Sequence, residues 1–291
     1  MKIIRYKKSN TPQLGVVTSD EKIYDLPYVS LQEVDEEANK ENKSLLNFIQ
    51  EKIVNLNPSS EKLDDLELLV PIEVKEVWAA GVTYQTSRSA RNYETTEETS
   101  SKTFYDKVYD AKRPELFLKS TIFRTCGPND VLNLRTDSNW QVPEPELGVV
   151  INREGNIIGY LIGNDMSCRD IEGENPLYLP QAKVWKNSCS IGPAILLAEA
   201  VEDPYNFDII CRIKRNGENV FEQSANTSQL KRKFDELVYY LLLGNDIFDG
   251  TVLLTGTSIV PPNDFTLETD DIIEIEVPGI GTLKNKVEKV S

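Results

Sequence analysis

The hydrophobic pattern centres on two apolar runs, Leu147-Gly-Val-Val-Ile151 and Ile157-Ile-Gly-Tyr-Leu-Ile162, flanking the polar stretch Asn152-Arg-Glu-Gly155. Runs of this kind around a Gly-containing turn predict a β-hairpin. A turn centred between Glu154 and Gly155 sets Glu144 opposite Asp165, while Glu144 and Glu146, two residues apart, share a strand face. The hairpin therefore gathers three carboxylates at its open end.

Residues 1–70 read as a small separate unit. Short strands are predicted at 1–6 and 14–17, and a helix over 44–54 places Leu45, Phe48, Ile49 and Ile53 on one face before Asn57-Pro58 ends it. The larger unit, 71–291, opens with a strand at 74–83 that enters a loop at Tyr84. Residues 85–113 are polar, with Arg88, Arg91 and Arg113 among many acids and Phe104, Tyr105, Val108 and Tyr109 at helical spacing. This segment is either a solvated helical excursion or a lid that lends an Arg to a substrate carboxylate.

The Phe/Leu alternation in Arg113-Pro-Glu-Leu-Phe-Leu-Lys119 favours a strand with Glu115 and Lys119 on one face. Further strands are predicted at 189–197, 207–213 and 220–222. The clearest helix spans 227–244, with Leu230, Phe234, Leu237, Val238 and Leu241 forming its apolar stripe and Gly244 its stop. A strand into Thr255-Gly-Thr257 and a hairpin over 270–283 close the pattern: many strands, few helices.

Composition narrows the function. A chain of 291 residues, 40% apolar and 27% charged, has the balance of a soluble enzyme. Its formal charge of −15, with no Lys/Arg block, argues against nucleic acid and anionic membranes as partners. The acidic segments at 35–37 and 94–98 read as solubility. Cys126, Cys168, Cys189 and Cys211 form no C-x-x-C pair, the N-terminus has no long apolar segment, and 237–243 is too short to span a bilayer, so a cytoplasmic location with reduced thiols is expected. The chain contains no His. Acid–base chemistry therefore falls to Glu, Asp, Lys, Tyr or a metal-bound water.

Three gathered acids repel one another unless a proton or cation intervenes. With no His and no paired Cys nearby, an all-oxygen set suits a hard ion, Mg2+ first and Mn2+ or Ca2+ as substitutes. The alternative is that these are ordinary hairpin-end charges.

Glu144-x-Glu146 before a hairpin, then Gly163-Asn-Asp165-x-Ser-x-Arg-Asp170, then Lys183 ahead of Gly192-Pro193, resembles the fumarylacetoacetate hydrolase family, over about residues 75–288. The strings Val142-Pro-Glu-Pro-Glu-Leu147 and Arg169-Asp-Ile-Glu-Gly-Glu-Asn-Pro-Leu-Tyr-Leu-Pro-Gln-Ala-Lys183 resemble, within it, a branch of 2-keto-3-deoxy-pentonate dehydratases. The resemblance implies an α+β, strand-rich fold of that type with long helices on its flank, a small N-terminal α/β domain, and a homo-oligomer, dimer or tetramer. It also implies Mg2+ held by Glu144, Glu146 and Asp165, and a small sugar-acid substrate dehydrated to 2,5-dioxopentanoate through an enol between carbons 4 and 5.

The same resemblance makes Lys183 the first candidate for the proton transfers and Glu115 the second, with base and acid left unassigned. Thr257, in the family's Thr-Gly-Thr, Lys183, Arg88 and Ser87 become candidate substrate contacts. Arg169, Asp170 and Lys119 become supports for the metal ligands. Two departures stand out: Ser87 occupies the place of the family's general-base His, and Ser258 replaces the Pro that follows Thr-Gly-Thr. The rivals are acylpyruvate C–C hydrolysis, oxo-acid decarboxylation, and a non-catalytic divalent-cation module.

Overall fold

The computed structural model describes residues 1–94 and 104–290. Most of the acidic run at 94–98 and the side chains of Phe104 and Tyr105 lie outside the described residues.

The central hairpin pairs Pro145–Ile151 with Ile157–Asp165. Gly163 stands opposite Glu146 and Gly159 opposite Val150, and the Asp165 N–H donates to the Glu144 carbonyl at 3.0 Å. This is the register that a turn at Glu154-Gly155 demands, and it slips only at a bulge between Ile157 and Gly159.

Around this hairpin grows a ten-stranded sheet among the described residues. Outward from Ile157–Asp165 lie Cys189–Leu197, Lys2–Lys8, Thr11–Val17 and Ile23–Asp25; outward from Pro145–Ile151 lie Thr251–Leu254, Glu76–Gly81 and Glu115–Thr121; the tenth, Thr125–Cys126, pairs with Cys189–Leu197 off this path. Residues 1–70 thus join the larger part through strand pairing, Lys2 opposite Leu196 and Ile3 opposite Ile195.

Alternation along the hairpin decides the layers. Leu147, Val149, Ile151, Tyr160 and Ile162 face a five-stranded sheet built on Asp208–Arg215, Ile272–Val277 and Gly281–Lys289, together with the helix Phe234–Leu242. Val150, Leu161 and Leu254 face the opposite way, onto the helices Leu31–Lys40 and Leu45–Ile53. A sheet covered on both faces explains why its central strands read as continuous apolar runs.

Ser44 caps Leu45–Ile53 by accepting from the Asn47 N–H, and Leu45, Phe48 and Ile49 are buried as the spacing requires. The helix Leu31–Lys40 was not anticipated. Its start is nonetheless written in the chain as an N-cap: the Ser30 hydroxyl accepts from Glu33 N–H at 3.2 Å, and the Glu33 carboxylate reaches one residue past the cap to accept from Val29 N–H at 2.8 Å.

Two expectations are corrected. The helix expected over 227–244 begins at Phe234, because Lys231 N–H bonds the Thr83 carbonyl at 3.0 Å and the Arg232 guanidinium donates to the carbonyls of Ala111 and Lys112. These distant partners hold residues 230–233 out of helical form. The flanking helices are also short, none longer than ten residues among those described. Among the described residues no helix is long and apolar enough to cross a membrane, and all four cysteines are buried and unpaired.

Gly163 is one point where the hairpin packs closely, since a Cβ there would lie 2.3 Å from Leu254 Cδ2. Gly163→Ala is expected to lower stability by about 1–3 kcal/mol through overpacking. Urea denaturation should show an earlier midpoint with an unchanged slope; an unchanged midpoint would contradict this packing.

Candidate metal centre and active site

The hairpin brings Glu144, Glu146 and Asp165 together, each less than 5% exposed, with donor oxygens all within 4.8 Å of one another. Glu146 lies on the strand face that carries Gly148 and Val150. The apolar layer beneath the sheet therefore runs directly into the acidic cluster.

The neighbours of each carboxylate differ. Glu144 Oε2 accepts from the Lys183 ammonium, and its Oε1 lies 3.4 Å from Arg169 Nη2. Asp165 Oδ1 is 2.7 Å from Lys119 Nζ, and its Oδ2 is 3.4 Å from Lys183 Nζ. Glu146 has no ammonium or guanidinium at ion-pair distance among the described residues; its Oε2 accepts from Gly256 N–H at 2.6 Å. Gly256 has φ +96°, and a Cβ on it would lie 1.9 Å from Thr83 Oγ1. Only glycine lets that amide approach Glu146.

These surroundings split the two glutamates. Burial favours the neutral acid at Glu144, but Lys183, Arg169 and Arg91 outweigh it and hold the carboxyl down to about 2. At Glu146, burial and the charges of Asp165 and Glu144 act together and raise it well above the usual carboxyl range. A divalent cation would supply the positive charge that Glu146 lacks, and the all-oxygen donor set suits a hard ion. The residues present fit such an ion.

The space enclosed by these groups with Ser87, Arg91 and Thr257 is only about 10 Å3, enough for roughly one water. A larger hollow of about 670 Å3 beside Val70 and Ile122 contains none of the acidic cluster. Chemistry belongs to the small closed space.

Ser87 lies in the first turn of the helix Gln85–Glu94, where its Oγ donates to the Tyr84 carbonyl at 2.8 Å and accepts from Tyr84 N–H. Arg88, one position on, turns away to Asp106 at 3.6 Å and stacks over the Tyr109 ring. Arg91, four residues after Ser87, shares its face, lines the pocket and is 5% exposed. Helical spacing could have selected Arg91 once Ser87 was placed.

Glu115 packs its carboxylate against Gly81, where a Cβ would sit 1.8 Å from Oε2. That oxygen is buried without a hydrogen-bond partner, and burial raises the carboxyl despite the attraction of Arg91 and Lys183. Lys119 follows on the same strand as the extra residue of a bulge, between Leu118 opposite Trp78 and Ser120 opposite Val77. Its fully buried ammonium donates to the carbonyls of Met166 and Lys183 besides meeting Asp165.

Lys183 ends the short helix Leu179–Lys183 and is completely enclosed. Thr257 lines the pocket, with its Oγ tied to the Ile259 backbone at 3.1 Å. Ser258 Oγ lies 2.8 Å from Thr86 Oγ1 and so joins this loop to the foot of the Ser87 helix. Asp170 turns to Ser138 and the Asn139 N–H, at 2.6 and 2.7 Å, and Arg169 meets Glu144. Asp165 is therefore supported by Lys119 and Lys183, not by Arg169 and Asp170. Glu172, which had not been singled out, is 1% exposed and pairs with Arg91.

The profile of the family described as "Fumarylacetoacetate (FAA) hydrolase C-terminal" matches residues 85–288. The chain is 50% identical over 226 residues to "Probable 2-keto-3-deoxyxylonate dehydratase" of Haloferax volcanii, covering 78% of this chain and 76% of the relative. It is 44% identical over 230 residues to 2-dehydro-3-deoxy-D-arabinonate dehydratase of Saccharolobus solfataricus, covering 79% and 77%. A solved structure of 2-keto-3-deoxy-D-arabinonate dehydratase complexed with magnesium and 2,5-dioxopentanoate superposes with a TM-score of 0.85 at 36% identity, covering 100% of this chain and 99% of that one.

The split between the glutamates predicts opposite responses in metal-free protein. With its folded pKa raised, Glu146 contributes stability below the ordinary value of 4.5 that is lost as pH rises through the folded value; Glu144 contributes stability above 4.5 that is lost as pH falls toward about 2. At neutral pH in chelator, Glu144→Gln should cost about 3–5 kcal/mol by stranding Lys183 and Arg169. Glu146→Gln should leave stability unchanged or higher, while both variants lose Mg2+ binding. Equal destabilisation in urea titrations would refute the split.

Proposed function

We propose that this chain, which belongs to the fumarylacetoacetate hydrolase family, is a hydro-lyase that dehydrates a 2-keto-3-deoxy pentonate to 2,5-dioxopentanoate with Mg2+ as cofactor. The observation that carries the reading is the all-oxygen acidic cluster with a fully enclosed lysine against it, in a chain half identical to a relative named for this reaction.

Glu144, Glu146 and Asp165 would hold the Mg2+, which would supply Lewis-acid polarisation of the 2-ketone and so acidify the protons of carbon 3. Loss of a carbon 3 proton and departure of the carbon 4 hydroxyl with a proton leave a double bond between carbons 3 and 4, conjugated with the ketone. A proton must then move from carbon 5 to carbon 3 to give the enol between carbons 4 and 5. Protonation at carbon 4, with loss of the enol proton, yields the aldehyde. The net loss is one water, and the route needs proton carriers that act more than once.

Lys183 and Glu115 are the carriers we assign. Burial keeps the Glu115 carboxyl protonated beyond the usual range, which suits a donor to the leaving hydroxyl. Lys119 holds Asp165 in place, and Thr257 and Ser87 line the space the substrate would enter. Acylpyruvate hydrolysis would need a base to activate water, yet the Ser87 hydroxyl is bonded to the Tyr84 backbone. A mere cation-binding module would have no use for the buried, unpartnered carboxyl of Glu115.

A cytoplasmic location is supported by four unpaired cysteines. A homo-oligomer, dimer or tetramer, is supported by Leu118, Ile122 and Phe123, exposed along and beside the outermost strand of the large sheet.

The test is to supply 2-keto-3-deoxy pentonate with Mg2+ and couple the aldehyde formed to an aldehyde dehydrogenase, following acylpyruvate cleavage in parallel. Faster acylpyruvate cleavage would overturn the reading. Lys183→Met should lower turnover about a hundredfold or more, as for loss of a general acid–base group. Exchange of carbon 3 protons in deuterated water, with an analogue lacking the 4-hydroxyl, separates the roles. If the variant exchanges at the parental rate but does not dehydrate, Lys183 serves the leaving hydroxyl and Glu115 is the base.

A further inference from the structure

Val82 holds an unusual backbone conformation. Its φ is +52°, and among the described residues it is the only one with a branched Cβ to adopt a positive φ. A β-branched residue is strained there, and such strain persists only where the surroundings impose it. They do so on both sides. Gly81 pairs with Glu115 in the sheet, and Thr83 is pinned twice: its Oγ1 donates to the Thr255 carbonyl at 2.7 Å, and its own carbonyl accepts from Lys231 N–H at 3.0 Å.

The isopropyl group held in this way is 5% exposed, yet it joins none of the three apolar clusters of the molecule. Val82 lines the closed pocket instead, together with Phe117. Among the described residues, these two are the only lining residues with an apolar side chain larger than a methyl group; most of the others carry a charge or a hydroxyl. The Lys183 ammonium stands 5.8 Å from the centre of the Phe117 ring, so the apolar patch adjoins the assigned proton carrier.

We propose that Val82, with Phe117, determines specificity by receiving the methylene at carbon 3 and turning away 2-oxo acids that carry a hydroxyl there. The proposal rests on the dehydratase reading for its substrate class. In a 2-keto-3-deoxy pentonate, carbon 3 is the only carbon without oxygen, and its protons are the ones that a carrier such as Lys183 must move. An apolar patch beside Lys183, in an otherwise polar pocket, matches that carbon. A hydroxyl in its place would lose water and find no hydrogen-bond partner on either side chain. The strain at Val82 thereby acquires a use, because it holds the isopropyl group at the pocket and out of the apolar cores.

The test measures binding, not turnover, so it separates this proposal from the functional reading. Affinities for 2-oxopentanoate and for each epimer of 3-hydroxy-2-oxopentanoate are titrated calorimetrically on the Mg2+-loaded full chain. These acids differ only at carbon 3, and none has a 4-hydroxyl to lose. In the parent protein, at least one epimer should bind about tenfold or more less tightly than 2-oxopentanoate, as expected for a hydroxyl desolvated at an apolar site. Val82→Thr keeps the branched shape and supplies a hydrogen-bonding partner, so the gap should shrink to about threefold or less.

Val82→Gly removes the patch and relieves the strained φ, and it should lose the same selectivity. This second variant keeps the test available if Val82→Thr does not fold. Thermal unfolding runs alongside, and relief of strain should offset much of the lost burial in Val82→Gly. An unchanged gap in both variants, equal weakening of all the acids, or a marked fall in melting temperature with selectivity intact would each overturn the proposal. Equal binding of all the acids by the parent would overturn it too, while leaving the dehydratase reading standing. Failure of the parent to bind any of them would instead overturn the 2-oxo acid reading, and this proposal with it.

Discussion

Repulsion among three carboxylates packed at the end of one hairpin is the constraint to which the surrounding structure answers. Donor oxygens within 4.8 Å of one another, almost without solvent, interact far more strongly than they would in water. Lys183, Arg169 and Lys119 offset the charge of Glu144 and Asp165, and the Gly256 amide offsets part of that of Glu146. The compensation is unequal. The shortfall at Glu146 is what gives the cluster its appetite for a divalent cation, and such an ion must displace the proton that burial favours there.

Holding that cluster requires a rigid support. The hairpin sits in the middle of the large sheet, with apolar layers on both faces, so neither Glu146 nor Asp165 can retreat by local unwinding. The cations come from elements that pack over the open end. Lys119 leaves its strand at a bulge, Lys183 ends a short helix, and Arg169 begins another. Each is fully or almost fully buried, and each would be costly if its carboxylate were removed. Stability and catalysis therefore depend on the same charges.

The cover of the pocket follows a similar logic. Ser87 and Arg91 project from one face of a helix onto the cluster, and the space they leave is too small for a pentonate. Ser258, bonded to Thr86, ties this helix to the Thr257 loop. Ser87, at the position where the family resemblance expects a His, spends its hydroxyl on the backbone of Tyr84.

Much of this was legible in the chain itself. Strand alternation and a tight turn are local properties, so Glu144, Glu146 and Asp165 could be brought together from spacing alone, and the hairpin took the expected register up to its bulge. The absence of His likewise bounded the chemistry without any structure. Other features were settled only by folding. Arg88 and Arg91 lie on one polar helix, and which of them faces the cluster depends on how that helix docks. The helix expected from residue 227 starts late because its first residues bond loops more than a hundred positions away. Gly256 approaches Glu146, and Glu172 approaches Arg91, across separations that no local pattern encodes. Periodicity determines which side chains share a face, because it is set by the backbone of a single element. Which buried charges meet, and which one is left short of a partner, is set by packing between elements and could be decided only by the tertiary structure.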